Sequence, residues 1–147
     1  MPFVPIRGLS SLEDIAKAAK LARESIGKVP GVGIETPKEA LDKLRWLAAG
    51  GRDFRTVNAQ LIREMSDAFT KALAIVIRTK THVERPWLAA GKAYQDRITA
   101  RLANSGDDVK MRPLKPETIR RKGSSQIGRD TGALYRLWKA SKVRLTK

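Results

Sequence analysis

The side chains with the clearest chemical potential in this chain are lysines and arginines that cluster towards its C-terminal end. Residues 109–147, here called the basic segment, hold 12 basic and 2 acidic side chains, a net charge of +10 out of +15 for the chain. Such a one-sided charge attracts a polyanion, either nucleic acid or an acidic protein face. We therefore predict a polyanion- or partner-binding site at Lys110, Arg112, Lys115, Arg120, Arg121, Lys122 and Arg129.

The charge of the basic segment has a second interpretation, a solvated tail that keeps the chain soluble. Its uneven placement favours the polyanion, because residues 1–108 hold 18 basic and 13 acidic side chains, a net charge of only +5. No aromatic residue lies among the seven basic positions, which argues against a platform on which single-stranded bases stack. No helix-turn-helix spacing is present, so sequence-specific reading of DNA is not expected.

The residue types needed for catalysis or for a metal site are sparse. The chain has no cysteine and one histidine, His82, which stands in a polar linker beside Glu84. A single histidine without a cluster of partners is typical of a surface side chain. The adjacent Asp107 and Asp108 are expected to end a helix rather than to form an acid–base pair. We predict no enzymatic activity, no metal and no cofactor.

The hydrophobic pattern predicts a mostly α-helical single domain over residues 1–147 with a small β element, an α+β fold. Capping boxes at Ser10–Glu13 and Thr36–Glu39 predict the starts of two helices. The long central helix is expected from Asp53 to Arg78, where apolar residues keep a helical spacing. Its apolar end, Leu73–Ile77, is either buried in the core or covered by a neighbouring subunit, and its β-branched residues leave a strand as the alternative.

The remaining segments complete this outline. Lys28–Glu35, broken by proline and glycine, is predicted to be a linker, and another helix is expected to start at Pro86. Residues 1–9 are expected to be extended, and Val143–Leu145 to form a short C-terminal strand. All three tryptophans lie on apolar stripes and are predicted in the core, with interface anchoring as the alternative: Trp46, Trp87 and Trp138.

The basic segment is predicted to contain two short helices joined by a Gly/Ser loop. Pro116 suits the first helical position, and Gly123 suits the stop. Asp130 or Thr131 is expected to cap the second helix. Gly132 then either allows another backbone to approach or adopts a conformation that other residues resist. The positions that define this arrangement are Pro116, Thr118, Gly123, Asp130, Thr131, Gly132 and Leu134.

The order of these residues resembles the neck, or tail-completion, proteins of tailed bacteriophages. In that family a Leu-x-Pro-x-Thr-Ile…Lys-Gly-Ser segment precedes an Asp-Thr-Gly-x-Leu segment. The matching residues here are Leu114–Ile119, Lys122–Ser124 and Asp130–Leu134. Arg85-Pro-Trp-Leu88, before a helix, is similar to an Arg-Pro-Phe-Leu pattern of the same family. Together these motifs suggest a virion assembly component.

The resemblance implies a structural virion protein of the head–tail junction, acting in tail completion or as a tail terminator and assembled in the host cytoplasm. It implies a homo-oligomeric ring around the DNA channel that joins tail to capsid. The expected partners are neighbouring connector, portal-side or tail-tube proteins, with genomic DNA in the channel as a possible further partner and no membrane. The basic segment then faces either that DNA or an acidic neighbouring ring.

Two other classes of protein remain open. The charge alone suggests a general DNA-binding protein without sequence specificity, whose affinity for duplex DNA would fall steeply with salt. The lack of catalytic residues suggests a small interaction module or an accessory subunit of an enzyme. Flanking portal, capsid and tail genes would distinguish the virion protein from both.

Overall fold

The chain folds into six helices and one two-stranded sheet within the part that the computed structural model describes, residues 12–27, 31–80, 82–106, 108–123, 125, 127 and 132–145. This confirms the predicted mostly helical fold with a small β element. The extended segment and capping box predicted within residues 1–13 begin outside the described residues. The elements are α1 (Leu12–Gly27), β1 (Val32–Glu35), α2 (Lys38–Ala49), α3 (Ala59–Thr79), α4 (Arg85–Ala103), α5 (Pro116–Lys122), α6 (Ala133–Lys139) and β2 (Lys142–Leu145).

The long helix α3 begins later than predicted. Asn58 is its N-cap, and the side-chain oxygen of Asn58 accepts a hydrogen bond from the Leu61 backbone N at 2.9 Å. Upstream, Asp53 holds a turn in which its Oδ1 accepts a hydrogen bond from the Arg55 backbone N at 2.9 Å. Asp and Asn side chains compete in this way with helical hydrogen bonding. The predicted start at Asp53 was therefore wrong, because the helix begins at Ala59.

The apolar end of α3 is helical, and its side chains are buried or half-buried within the subunit. Ala72, Val76 and Ile77 are 7%, 0% and 5% exposed. Helix α3 packs against α4 and α1. The strand alternative was wrong, and no neighbouring subunit is needed to cover these three side chains. No helix in the described ranges is both long and apolar enough to cross a membrane.

The small sheet has a strand that the sequence pattern missed. Val32–Glu35, predicted as part of a linker, pairs antiparallel with β2, with Val32 opposite Leu145 and Glu35 opposite Lys142. Local glycine content favours a linker, but hydrogen bonding to a distant strand overrides that preference. The predicted C-terminal strand, Val143–Leu145, is confirmed.

The sheet lies against α4 at a glycine. A Cβ atom built on Gly91 would stand 2.6 Å from Val143 Cγ1 and 2.8 Å from Val32 Cγ1. Both distances are well below van der Waals contact, and each atom belongs to a stiff β-branched side chain. The missing side chain at Gly91 is therefore what allows both strands to approach the helix.

Helix α2 begins without the predicted capping box. Lys38 is its first residue, and no side chain caps the N-terminus. Pro37 has a ψ of 142°, which makes it the residue before the helix rather than the first helical one. Thr36 is thus one position too early to cap, and its Oγ1 is buried without a hydrogen-bond partner.

The basic segment contributes directly to the hydrophobic core. Three of its apolar residues, Ile127, Leu134 and Trp138, are 8%, 1% and 3% exposed. Trp138 is locked to α4 because its Nε1 donates to the Gln95 carbonyl at 3.1 Å, while Gln95 Nε2 donates back to the Trp138 carbonyl at 3.1 Å. The described part of this segment is therefore not simply a solvated tail. The core cluster is Ala40, Leu44, Leu47, Phe54, Ile98, Leu102, Ile127, Leu134 and Trp138.

A buried ion pair joins the end of α4 to the start of α3. Arg101, which is 0% exposed, donates from Nε and Nη2 to the two carboxylate oxygens of Asp108 at 2.8 and 2.9 Å. Its Nη1 donates to the carbonyls of Phe54 and Thr56 at 2.8 and 2.7 Å. Asn58 Nδ2 adds a bond to Asp108 Oδ2 at 3.1 Å. Because every partner is satisfied, the charges are tolerated inside the fold.

The Arg101 guanidinium lowers the pKa of Asp108 from its ordinary 3.8 to about 2. A depressed carboxyl pKa stabilises the fold fully above the ordinary value, and the stabilisation is lost as pH falls through the folded pKa. We expect Asp108 to contribute about 2 kcal/mol that disappears between about pH 4 and pH 2. Urea unfolding of wild type and Asp108→Asn across this range measures the difference. Parallel pH curves for the two proteins would contradict the prediction.

Candidate polyanion-binding site

Helix α2 turns one side towards the core and leaves Trp46 on the other. Its buried residues, Ala40, Leu44 and Leu47, recur at the spacing of one helical face. At about 100° per residue, Trp46 lies roughly 120° from the centre of that face, and it is 70% exposed. The prediction that Trp46 belongs to the core was therefore wrong, whereas Trp138 is confirmed as a core residue.

The turn after α2 fastens the start of the basic segment to the protein surface. The Gly51 carbonyl accepts a hydrogen bond from the Arg112 backbone N at 3.1 Å. Arg52 donates from Nε to the Arg112 carbonyl at 2.8 Å and from Nη2 to the Pro113 carbonyl at 2.9 Å. Gly51 has a φ of 79°, a conformation that glycine adopts readily. These bonds hold the chain leading into α5 beside the end of α2.

Helix α5 forms the other wall of a cleft. It begins at Pro116 and ends before Gly123, whose φ is 67°, so both predicted boundaries are confirmed. None of its residues is buried. Between α2 and α5 lies a concavity of about 400 Å³, here called the α2–α5 cleft. It is lined by Lys43, Trp46, Leu47, Gly50, Arg52, Arg112, Leu114, Lys115, Thr118, Arg121 and Lys122.

The structure brings together four of the seven predicted basic residues and separates two others. Arg112, Lys115, Arg121 and Lys122 line the α2–α5 cleft. Lys110 and Arg120 are exposed but do not line the cleft. Arg129 lies outside the described residues.

The predicted structural positions have separate roles. Thr118 lines the α2–α5 cleft, and Leu134 is a core residue. Gly132 is the N-cap of α6 with a φ of 76°, in agreement with the prediction of a conformation that other residues resist. Asp130 and Thr131, the predicted caps, lie outside the described residues.

The α2–α5 cleft is strongly cationic. Six of its eleven lining residues are lysine or arginine, and no Asp or Glu of the described residues lines it. Leu47 is only 5% exposed and Leu114 is half-buried, so the open apolar surface of the cleft is chiefly the Trp46 indole. The chemistry on offer is therefore charge-assisted hydrogen bonding to anionic oxygens beside one aromatic face.

Three charged or aromatic members of the cleft were not predicted from the sequence: Lys43, Trp46 and Arg52. The signal was present for two of them: Lys43 and Trp46 are three residues apart on a helix, and both fall off the Ala40–Leu44–Leu47 stripe. Arg52 carried no such signal, since it reaches the basic segment only through the turn after α2. The absence of an aromatic residue among the basic positions was thus true along the sequence but not in space.

No acid–base centre adjoins the α2–α5 cleft in the described part of the chain. The groups with a displaced pKa lie elsewhere: the Arg97 guanidinium lowers that of Glu64, and burial raises that of Tyr94. His82 Nδ1 stands 3.6 Å from Glu84 Oε1, and the His82 side chain is 67% exposed. The described residues include no group of three His, Cys, Asp or Glu side chains that could hold a metal ion.

The described elements define a mostly helical protein with a two-stranded sheet and a cationic cleft built from α2, the following turn and α5. The chain matches no model of a known protein family, no curated protein and no solved structure.

Proposed function

We propose that this protein is a structural, non-enzymatic component of the head–tail junction of a tailed bacteriophage. In this role it forms a ring around the DNA channel, as a tail-completion, terminator or neck subunit, and joins the tail to the capsid. Its basic segment meets a polyanionic surface, which is either DNA in the channel or an acidic neighbouring ring.

The observation that carries the proposal concerns the segment that resembles the phage proteins: some of its side chains are buried in the core and others are exposed in the cleft. Leu134 enters the core, whereas Lys115, Thr118 and Arg121 remain on the surface and line the α2–α5 cleft. A segment that is anchored by apolar residues and presents several cations on one concavity is suited to holding an anionic partner in a fixed position.

Ala72, Val76 and Ile77 at the end of α3 are covered within the subunit, so these three side chains do not supply a contact in such a ring. Exposed apolar side chains stand instead at the start of that helix, where Val57 is 65% and Ile62 is 55% exposed. A head-to-tail ring needs two different complementary faces. We assign one of them to the surface around these two residues.

A general DNA-binding protein without sequence specificity is the second candidate. The six basic residues of the α2–α5 cleft favour it, because phosphate contacts dominate non-specific affinity. It requires neither a ring nor other virion proteins. The two candidates therefore differ in what happens when the gene is removed.

Deletion of the gene from its phage tests the proposed function. We expect lysates that contain DNA-filled heads and separate tails, because the junction between them is missing, and we expect joined particles when the protein is supplied from a plasmid. Electron microscopy of the lysates provides the count. Normal virions from the deletion strain would contradict the proposal, and a defect confined to DNA replication or packaging would favour the second candidate.

A further inference from the structure

We propose that the α2–α5 cleft binds a single strand of nucleic acid, with one base stacked on Trp46 and the adjoining phosphates held by the surrounding lysines and arginines. The inference goes beyond the proposed function, because duplex DNA in the channel or an acidic ring would offer the cleft no exposed base. Although no aromatic residue lies among the basic positions along the sequence, Trp46 lies beside four of them in the folded chain.

The Trp46 side chain is unusually exposed for a tryptophan. A tryptophan side chain gains more from burial than almost any other, yet this residue is 70% exposed. The other two tryptophans each contact an aromatic ring: Trp87 meets Phe69 edge-to-face with centroids 5.2 Å apart, and Trp138 meets Tyr94 at 6.4 Å. Trp46 contacts no aromatic ring of the described residues. Its indole face is open to a base.

Basic side chains surround the exposed face of the Trp46 indole. Lys43 stands one helical turn before Trp46 on α2, and Lys115 and Arg121 lie on the opposite wall. Lys115 and Arg121 are exposed, so their charged groups reach solvent. Basic groups that follow a backbone beside an aromatic side chain form the usual combination for binding a single strand.

The possible anionic ligands differ in whether they offer an aromatic face to the Trp46 indole. In a duplex the base faces are covered by stacking, so duplex DNA would offer the cleft its phosphates alone. An acidic peptide would offer the cations its carboxylates, but Asp and Glu side chains have no aromatic face to stack on the indole. The single strand is the ligand that uses both the indole face and the cations of a concavity of about 400 Å³.

Titration of the purified chain with a short oligo(dT), followed by tryptophan fluorescence, tests the proposal. We expect quenching, since the most exposed tryptophan stacks on a base, and an affinity that falls as salt rises. Trp46→Ala should weaken oligo(dT) binding by about tenfold to a hundredfold, the usual effect of losing one stacked base. The same variant should bind polyphosphate as wild type does, because polyphosphate has no base. Trp46→Phe should restore much of the affinity.

A matched pair of charge variants tests the location of the site. Lys115→Gln with Arg121→Gln removes two cations that line the cleft, whereas Lys110→Gln with Arg120→Gln removes two exposed cations of the same segment that do not line it. We expect the first pair to lose at least tenfold more oligo(dT) affinity than the second. Equal losses would overturn the assignment of binding to the cleft.

Three further outcomes would overturn the inference. Wild-type oligo(dT) binding by Trp46→Ala would show that no base stacks there, even if the charge variants still weakened duplex binding and so left the proposed function intact. Tighter binding of the matching duplex than of oligo(dT) would show that phosphates alone are recognised. Quenching by poly-glutamate but not by oligo(dT) would identify an acidic protein as the partner.

Discussion

Replacing Arg101 with methionine is expected to lower the free energy of unfolding by about 3–5 kcal/mol, the usual cost of removing one partner of a buried ion pair. The guanidinium is fully buried and satisfies both oxygens of Asp108 as well as the carbonyls of Phe54 and Thr56. Without it, a carboxylate that is 8% exposed loses its counter-charge. Urea denaturation followed by circular dichroism measures the loss.

Arg97→Met provides a matched control on the same helix. Arg97 also pairs with a carboxylate, that of Glu64, but the two side chains are 15% and 34% exposed. Partly solvated pairs contribute little, so we expect a loss of about 1 kcal/mol or less. A cost for Arg101→Met no larger than that for Arg97→Met would contradict the role assigned to the buried pair.

Replacing Gly91 with alanine is expected to destabilise the protein by about 1–3 kcal/mol, the usual cost of overpacking. Within a helix this change ordinarily adds up to about 1 kcal/mol of stability. Here the new methyl group would overlap Val143 and Val32, so the sheet has to move away from α4. Hydrogen exchange of the β1 and β2 amides should therefore accelerate together with the loss in unfolding free energy.

The control for Gly91→Ala is the same change combined with Val143→Ala. Removing the Val143 methyl groups relieves the closer of the two overlaps, the one at 2.6 Å, and leaves the overlap with Val32. The double variant should therefore be more stable than the sum of the two single effects predicts, a coupling between neighbours of about 0.5–3 kcal/mol. Strictly additive effects, or a stabilised Gly91→Ala single variant, would show that the sheet does not rest on Gly91.

Predictions from the sequence succeeded where a local signal decides the conformation. Pro116 and Gly123 set both ends of α5, because one lacks an N–H that the first turn does not need and the other adopts a positive φ. Gly132 adopts a positive φ of 76° for the same reason as Gly123. In each case the responsible residue is the first residue of the helix or lies directly beside its end.

Two predictions failed, one because the decisive partner is remote in the sequence and one because local capping side chains were overlooked. β1 contains Gly33 and exists because β2 pairs with it. The start of α3 moved because Asp53 and Asn58 both supply hydrogen bonds that compete with a longer helix. The error at β1 arose from judging a segment without its distant partner, whereas the error at α3 arose from following the apolar spacing past two local hydrogen-bonding side chains.

The candidate site was predictable in part. The chain supplies Arg112, Lys115, Arg121 and Lys122 as an obvious cluster, and the structure groups them. Trp46 was missed because it is close to Leu44 and Leu47 in the sequence and was predicted to share their buried face. Its angular position around the helix places it on a different face. That single correction changes the expected ligand from a bare polyanion to one that carries aromatic bases.

The most direct test of the proposed head–tail role is electron cryomicroscopy of the purified virions at the junction between capsid and tail. We predict a ring of identical 16.3 kDa helical subunits around the DNA channel, with the fold of α3 packed on α4 recognisable in each. Virions that contain no copy of the chain at this junction would contradict it.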